Sequence, residues 1–223
     1  MTGGPPTNAD QKHLDGYAAV AFDWGGVMTK GTFDSSAVVA LAALVGTTPE
    51  TLDDTYLRLM ERFEVGEYDL PGFHSRFSAA TGTATPIDAF RAAFLGAVRE
   101  RPAMYALIGS LPANLTVGVL SNNVPELCDV VRDDPRLSRV DAFVFSNEIG
   151  VRKPRREAFD ALTAALGTPP ELTVFVDDNR DNIEACTELG FTGLLIDTPA
   201  AFARRWRAAL PSIPLPPGFA NDD

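Results

Sequence analysis

The sequence has little of what builds a disulfide framework, a histidine metal site or a membrane span. Its two cysteines, Cys128 and Cys186, are far apart in helix-like segments, so we expect two buried thiols and no disulfide. Neither His13 nor His74 has a second histidine at metal-binding spacing. No apolar run approaches the ~18 residues that span a bilayer, and residues 1–16 lack an apolar signal-peptide core. These absences predict a cytoplasmic protein that does not enter a membrane.

Positive charge is also in short supply. The chain has 19 Lys and Arg against 30 Asp and Glu, which gives a net charge of −11. A basic footprint for a phosphate backbone is therefore absent, and nucleic acid is excluded as the main partner. A small phosphorylated substrate stays compatible with this charge, because local donors and a metal ion can outweigh the global balance.

The order of apolar patterns predicts an α/β fold with an inserted helical bundle. With 223 residues, 45% of them hydrophobic, the chain can form one sizeable α/β core with a small second domain. Residues 1–16 are typical of a flexible leader. Residues 17–31 and 102–210 alternate between strands and helices, which predicts a parallel sheet with right-handed crossovers. Residues 32–101 contain four helical patterns and no convincing strand, so we expect a helical cap domain there. Residues 211–223, rich in proline, are expected to be an extended tail.

Three predicted strands end in polar or acidic residues. The apolar run Val20–Phe22 stops at Asp23, where two glycines follow after one residue. Two later strands end at Ser121 and at the pair Asp177 and Asp178. Because the carboxyl ends of parallel strands meet at one edge of a sheet, these residues are expected to converge on one ligand site.

Such a site needs positive charge, because three carboxylates do not share a small pocket unpaired. Lys153, just before a predicted helix, is the best candidate within the chain. A hard divalent ion is the other, and Mg²⁺ prefers one or two carboxylates together with water and substrate phosphate oxygens. The constellation therefore suggests phosphoryl chemistry on a carboxylate nucleophile.

Four motifs in this order and spacing resemble those of the haloacid dehalogenase superfamily. They are Phe22-Asp23-x-Gly-Gly-Val27, Leu120-Ser121-Asn122, Lys153-Pro154 and Val176-Asp177-Asp178-x-x-x-Asn182. The resemblance covers about residues 17–210 and points to the branch with an α-helical cap inserted after the first motif. It implies a Rossmann-like parallel sheet and a Mg²⁺-dependent phosphatase. Such an enzyme would act on a small phosphorylated metabolite, such as a sugar phosphate, through an aspartyl-phosphate.

The resemblance implies catalytic roles for three of these side chains. Asp23 matches the nucleophile, and Ser121 matches the hydroxyl that binds the phosphoryl oxygens, helped by the backbone N–H of Asn122. Lys153 matches the cation that neutralises the nucleophile and the phosphoryl group.

The resemblance also implies a metal site and a substrate wall. Asp23, Asp178 and the backbone carbonyl of Gly25 match metal ligands, with Asp177 supporting the metal through water and Asn182 orienting the site. The residues expected to contact substrate are Trp24, Gly26, Asn122 and Asn123.

Gly25 is where this chain departs from the superfamily's pattern. Most phosphatases of the superfamily carry a second Asp two residues after the nucleophile, which protonates the leaving group and then activates water. Loss of a positioned general acid or base typically costs about 10²–10⁴-fold in rate. The cap offers four acids that could replace it, and the sequence does not choose among Asp34, Glu64, Glu67 and Asp69. A substrate whose leaving group hardly needs protonation, such as an anomeric or acyl phosphate, is the other explanation.

Gly25 keeps two further hypotheses open. The first is a dehalogenase-type hydrolase, because attack on carbon does not need the missing acid; the acidic pair Asp177 and Asp178 argues against it, since that chemistry needs no metal. The second is a phosphate-binding protein without turnover, although pure binding does not require Asp23. The sequence does not identify the substrate, and it is compatible with a monomer or a homodimer.

Overall fold

A five-stranded parallel sheet forms the centre of the molecule, with the strand order β3-β2-β1-β4-β5. The computed structural model describes residues 14–30, 33–96, 99–217 and 219, with the backbone alone for Phe33. The strands are β1 (Ala19–Phe22), β2 (Thr116–Ser121), β3 (Ala142–Phe145), β4 (Thr173–Asp177) and β5 (Thr192–Leu195). The central strand β1 pairs with β2 on one side and with β4 on the other. The prediction of an α/β fold with a Rossmann-like parallel sheet is confirmed.

Helices occupy the segments between the strands. Four of them follow β1 and form what we call the helical insertion: α1 (Phe33–Val45), α2 (Pro49–Phe63), α3 (Leu70–Thr81) and α4 (Ile87–Leu95). The others are α5 (Pro102–Ser110), α6 (Pro125–Arg132), α7 (Ser146–Ile149), α8 (Arg156–Leu166), α9 (Arg180–Glu188) and α10 (Pro199–Ala209). The predicted leader lies mostly outside the described residues.

The two faces of the sheet bury two separate apolar clusters. Side chains alternate along β1, so Val20 and Phe22 point to one face while Ala19 and Ala21 point to the other. On the first face Phe22 stacks on Trp206 of α10 with ring centroids 6.4 Å apart. The second face is covered by α8 and α9. Both faces of β1 are dry, which is why its sequence is a continuous apolar run.

The helical insertion has its own aromatic core and its own end signals. The Thr48 side chain accepts a hydrogen bond from the N–H of Thr51 at the start of α2, and Gly82 ends α3 in a left-handed conformation. Phe73 sits at the centre of the aromatic core. Its ring centroid lies 5.0–6.3 Å from those of Tyr56, Phe63, Phe77, Phe90 and Phe94.

The chain after α10 folds back on the helix that precedes it. The indole N–H of Trp206 donates to the carbonyl of Ile213 at 2.9 Å, and Ser212 bonds to Asp15 through both its N–H and its hydroxyl. The described part of the predicted extended tail therefore packs against α10.

No single helix in the described part of the chain is both long and apolar enough to cross a membrane. Within those residues, α1 and α2 taken together would be long and apolar enough, but the two helices are bent at 117° to each other.

Candidate active site

Asp23 lies at the carboxyl edge of the sheet, immediately after the central strand. Its N–H continues the ladder to the carbonyl of Val176 at 2.8 Å, and its Oδ1 accepts the N–H of Trp24 at 2.7 Å. The strands are all parallel, and the chain order leads outward from β1 to β2 and β3 on one side and to β4 and β5 on the other. Such a switch point is where a crevice opens at the carboxyl edge of α/β sheets. Asp23 is 8% exposed and is thus a nearly buried carboxylate at the mouth of that crevice.

Lys153 supplies the positive charge that this carboxylate needs. Its ammonium lies 3.0 Å from Asp23 Oδ1 and 2.7 Å from Asp177 Oδ2, and the residue is 1% exposed. Breaking a buried pair is costly because it leaves an uncompensated charge. Lys153 therefore fixes the orientation of Asp23 as well as its charge.

Asn122 holds the loop that carries Lys153. The Asn122 side-chain oxygen accepts the Lys153 N–H at 2.8 Å, and its amide donates to the Lys153 carbonyl at 3.1 Å. This two-point contact joins the end of β2 to the segment between α7 and α8. The predicted substrate-binding residue Asn122 thus also positions the site lysine.

Three carboxylates converge in a geometry that suits a metal ion. Oxygens of Asp23, Asp177 and Asp178 lie within 4.8 Å of one another. Asp177 is fully buried and accepts hydrogen bonds from Lys153, from the N–H of Asn179 and from the amide of Asn182. Since the oxygens of Asp177 are engaged by these donors, Asp23 and Asp178 are the carboxylates best placed to bind an ion directly.

The acidic groups are under electrostatic strain that a divalent cation would relieve. Burial, followed by the repulsion of Asp177 and Asp178 and opposed by Lys153, raises the pKa of Asp23 to about 7. Burial and the neighbouring Asp177 raise the pKa of Asp178 to about 6. Burial alone would lower the pKa of Lys153, but Asp177 and Asp23 raise it. One ammonium thus faces three carboxylates, and the all-oxygen donor set fits Mg²⁺.

Two adjacent glycines have different structural roles. A side chain on Gly26 would place its Cβ 2.0 Å from Asp178 Oδ2, and the residue has a φ of +71°. Gly26 therefore lets Asp178 approach the loop after β1, and its N–H donates to Thr29 Oγ1 at 2.8 Å. A Cβ on Gly25 would meet no atom within 4 Å.

A cavity of about 320 Å³ opens above these carboxylates. The predicted site residues in its wall are Asp23, Trp24, Gly25, Asn122, Asn123, Asp178 and Asn182. The helical insertion adds Asp34, Met60 and Glu64 on the opposite side. The pocket therefore lies between the sheet edge and the insertion.

Four predicted site residues lie outside the cavity wall. Ser121, Lys153 and Asp177 are at most 2% exposed, and they support the wall from behind. Gly26 likewise does not line the cavity and lies against Asp178, so its contact with substrate stays a prediction.

The four acids that the sequence offered as replacements for the missing general acid lie in two different environments. Glu67 pairs with Arg62 on the surface at 2.6 Å, and Asp69 caps α3 by accepting the Gly72 N–H at 2.9 Å. Asp34 and Glu64 face the cavity, so two of the four sequence candidates remain.

Arg152 is a cavity residue that the sequence interpretation missed. Its guanidinium Nε lies 3.1 Å from Glu64 Oε2 and its Nη1 lies 3.2 Å from Glu61 Oε1, so it links the core to the insertion. The only sequence signal was its position directly before Lys153. A single arginine in a loop is ordinarily a solvated surface residue, and its partners come from a distant helix.

Comparison with known proteins agrees with this geometry. The family model of haloacid dehalogenase-like hydrolases matches residues 17–190. A D-ribitol-5-phosphate phosphatase of Bacteroides thetaiotaomicron is 28% identical over 184 residues, which cover 77% of this chain and 88% of that protein.

Solved structures share the fold. A predicted HAD-like family hydrolase from Porphyromonas gingivalis matches with a TM-score of 0.68 and 24% identity, over 80% of this chain and 90% of that one. A HAD family enzyme from Bacteroides thetaiotaomicron, solved in complex with magnesium and inorganic phosphate, matches with a TM-score of 0.67 and 19% identity, over 80% and 93%. With the family model covering most of the chain, the protein belongs to the haloacid dehalogenase-like hydrolases.

Proposed function

We propose that this hydrolase is a Mg²⁺-dependent phosphatase that acts on a small phosphorylated metabolite through an aspartyl-phosphate. The proposal rests on the Asp23 carboxylate. Lys153 holds it at 3.0 Å, and it lines the cavity together with Asp178. A carboxylate that is fixed, nearly buried and paired with a cation is the arrangement that nucleophilic catalysis requires.

In the proposed reaction each side chain has a separate task. Asp23 attacks the substrate phosphorus in line, and a bond from its carboxylate oxygen to phosphorus replaces the ester bond. Lys153 stabilises the charge on Asp23 and on the phosphoryl oxygens, and Asn122 keeps Lys153 in position. Mg²⁺, held by Asp23, Asp178 and the Gly25 carbonyl, would add positive charge next to the phosphoryl oxygens. Water then cleaves the aspartyl-phosphate.

Polyol and sugar phosphates are the substrates to test first. The relative that is a D-ribitol-5-phosphate phosphatase supports this class. The cavity volume of about 320 Å³ suits a small metabolite, and its wall carries acids and amides that can bind hydroxyl groups. We assign the role of a cap to the helical insertion, because Met60 and Glu64 at the end of α2 close the cavity opposite Asp23.

The test is phosphate release from a panel of sugar, polyol, nucleotide and amino-acid phosphates, with Mg²⁺ and with EDTA. The wild type is expected to release phosphate only with Mg²⁺. Asp23→Asn is expected to reduce release to that of a protein-free control, because a side-chain amide does not form the aspartyl-phosphate. Asp160→Asn is the matched control, since Asp160 is an exposed aspartate paired with Arg156 on α8.

Other outcomes of the same panel would contradict the proposal. Equal phosphate release by the wild type and by Asp23→Asn would show that Asp23 is not the nucleophile. Release of halide from a haloacid that persists in EDTA would indicate the dehalogenase reaction instead. Thermal stabilisation by phosphate esters without turnover of any of them would indicate a binding protein. The cytoplasmic location and the monomeric or dimeric state stay predictions.

A further inference from the structure

An alkyl phosphate needs a proton donor when its ester bond breaks, because an alkoxide is a poor leaving group. The described residues that line the cavity include five ionisable groups: Asp23, Asp34, Glu64, Arg152 and Asp178. In the proposed function Asp23 is the nucleophile and Asp178 a metal ligand, and the guanidinium of Arg152 does not release its proton. Two carboxyl groups of the helical insertion are left.

One oxygen of Asp34 is already engaged by a neighbouring side chain. The hydroxyl of Tyr56 donates to Asp34 Oδ1 at 2.8 Å. Burial raises the pKa of Asp34, but this hydrogen bond acts in the opposite direction by stabilising the charged state. Asp34 is therefore the more constrained of the two carboxyl groups.

Glu64 is held in place by its backbone, and one of its carboxyl oxygens is buried without a hydrogen bond. Its N–H donates to the Met60 carbonyl at 2.8 Å, and its own carbonyl accepts the Ser146 hydroxyl at 2.5 Å, which ties the end of α2 to α7. The residue is 5% exposed, and Oε2 has no hydrogen-bond partner among the described residues. Arg152 Nε is within ion-pair distance of Oε2 at 3.1 Å, but neither atom forms a hydrogen bond, so the angle between them is poor.

We propose that the Glu64 carboxyl, which lines the same cavity as Asp23 and Gly25, is the general acid that protonates the leaving oxygen of the substrate. This inference rests on the proposed phosphatase function. It makes the helical insertion a source of catalytic chemistry and not only a cover.

The proposed hydrolysis has two steps. In the first, the Asp23 oxygen bonds to phosphorus, the ester P–O bond breaks, and the Glu64 proton moves to the leaving oxygen, which departs as an alcohol. In the second, a water oxygen bonds to phosphorus, the bond to Asp23 breaks, and the water proton moves to the Glu64 carboxylate. Phosphate is released and both carboxyl groups return to their starting states.

The charges around Glu64 keep its proton available at neutral pH. Burial is the main cause of a pKa raised to about 8, and the neighbouring Asp34 and the more distant Asp23 add to it. Arg152 and Lys153, from the loop before α8, act in the opposite direction. The protonated, donating form therefore predominates below about pH 8 and is lost above it.

The experiment compares Glu64→Gln with the wild type on two leaving groups. Single-turnover release of the alcohol is measured with D-ribitol 5-phosphate and with 4-nitrophenyl phosphate, with enzyme in excess and Mg²⁺ present. The nitrophenolate ion leaves without a proton, whereas the alkoxide of ribitol does not. Glu67→Gln is the matched control, because Glu67 belongs to the same segment but pairs with Arg62 on the surface.

The expected result is a split between the two substrates. Glu64→Gln lowers the rate with D-ribitol 5-phosphate by about 10²–10⁴-fold and leaves the nitrophenyl rate at the wild-type level. Glu67→Gln changes neither. In the wild type the alkyl rate falls above about pH 8 while the aryl rate does not, and this comparison needs no variant, so it still tests the proposal if Glu64→Gln does not fold.

Equal losses on both substrates would give Glu64 a purely structural role and overturn the proposal. Unchanged rates on both would also overturn it, and so would parallel pH profiles of the wild type on the two esters. A wild type that cleaves neither ester under any condition would instead contradict the phosphatase function itself.

Discussion

At the scale of single residues, the site depends on three carboxylates that are held close together and largely away from water. Asp23 and Asp177 share one lysine, Asp178 lies beside them, and Asp177 is fully buried. Such an arrangement persists because backbone N–H groups and Asn182 satisfy the remaining oxygens. Gly26 belongs to the same arrangement, since the absence of a side chain there lets Asp178 come near.

Gly26→Ala is expected to destabilise the protein and to weaken its binding of Mg²⁺. The left-handed conformation at φ +71° alone costs about 1–2 kcal/mol with a side chain. The new Cβ would also overlap Asp178 Oδ2, so that carboxylate must move away from Asp23. Urea unfolding measures the first effect, and Mg²⁺ titration by calorimetry measures the second.

Gly25→Ala is the control for this substitution. A Cβ at Gly25 meets no atom within 4 Å, and Gly25 does not have a positive φ. Its stability is expected to stay within about 1 kcal/mol of the wild type. An equal loss of stability in both variants would show that the close approach of Asp178 is not what Gly26 is needed for.

At the scale of elements, the helical insertion places Glu64 through its own apolar packing. The aromatic core around Phe73 fixes α2 against α3 and α4, and Phe63 of that core is the residue before Glu64. The hydrogen bond from Ser146 to the Glu64 carbonyl then fixes the end of α2 against the α/β core. The position of the acid thus depends on packing within the insertion and on its contacts with Ser146 and Arg152 of the α/β core.

Phe73→Ala is expected to cost about 3–5 kcal/mol in the free energy of unfolding, because it leaves a cavity among five aromatic rings. Urea unfolding measures the loss as a lower midpoint. Leu57→Ala is the control in the same insertion, since Leu57 is 42% exposed, and it is expected to change stability by no more than about 0.5 kcal/mol. Similar losses in the two variants would mean that the aromatic core does not stabilise the insertion.

At the scale of the whole molecule, metal binding and folding stability are linked. The three carboxylates repel one another in the folded chain and are far apart when it unfolds, so an ion that binds only the folded state stabilises it. Burial, and after it the repulsion between the carboxylates, raises the pKa of Asp23 and of Asp178, and a bound cation would oppose both effects.

Mg²⁺ is therefore expected to raise the thermal unfolding temperature relative to EDTA. Stabilisation is about 2.7 kcal/mol at a free concentration of 100 times Kd, or about 5–11 °C in Tm for a chain of this size. Asp178→Asn is expected to lose most of this shift, whereas the exposed Asp160→Asn keeps it. A full shift in Asp178→Asn, measured by scanning calorimetry, would place the ion elsewhere.

Much of the element order could be predicted because it depends on local spacing. Apolar runs of a few residues gave buried strands such as β3, and Thr48 followed by Pro49 marked the start of α2. The convergence of Asp23 with Asp177 and Asp178 also followed from local information, since parallel strands end at a common edge.

Tertiary structure decided everything that depends on contacts between distant segments. The sequence does not distinguish among the four candidate acids Asp34, Glu64, Glu67 and Asp69. Only the packing of α1 and α2 over the sheet edge brings Asp34 and Glu64 to the cavity. Arg152 meets Glu64 for the same reason.

By itself the sequence determined the fold class and the acidic strand ends. Hydrophobic periodicity and strand termini are short-range properties, and both can be read along the chain. Only the tertiary structure decided which side chains of the helical insertion share a cavity with Asp23 and Gly25, because that choice depends on how the insertion packs against the sheet. Those side chains are Asp34, Met60 and Glu64.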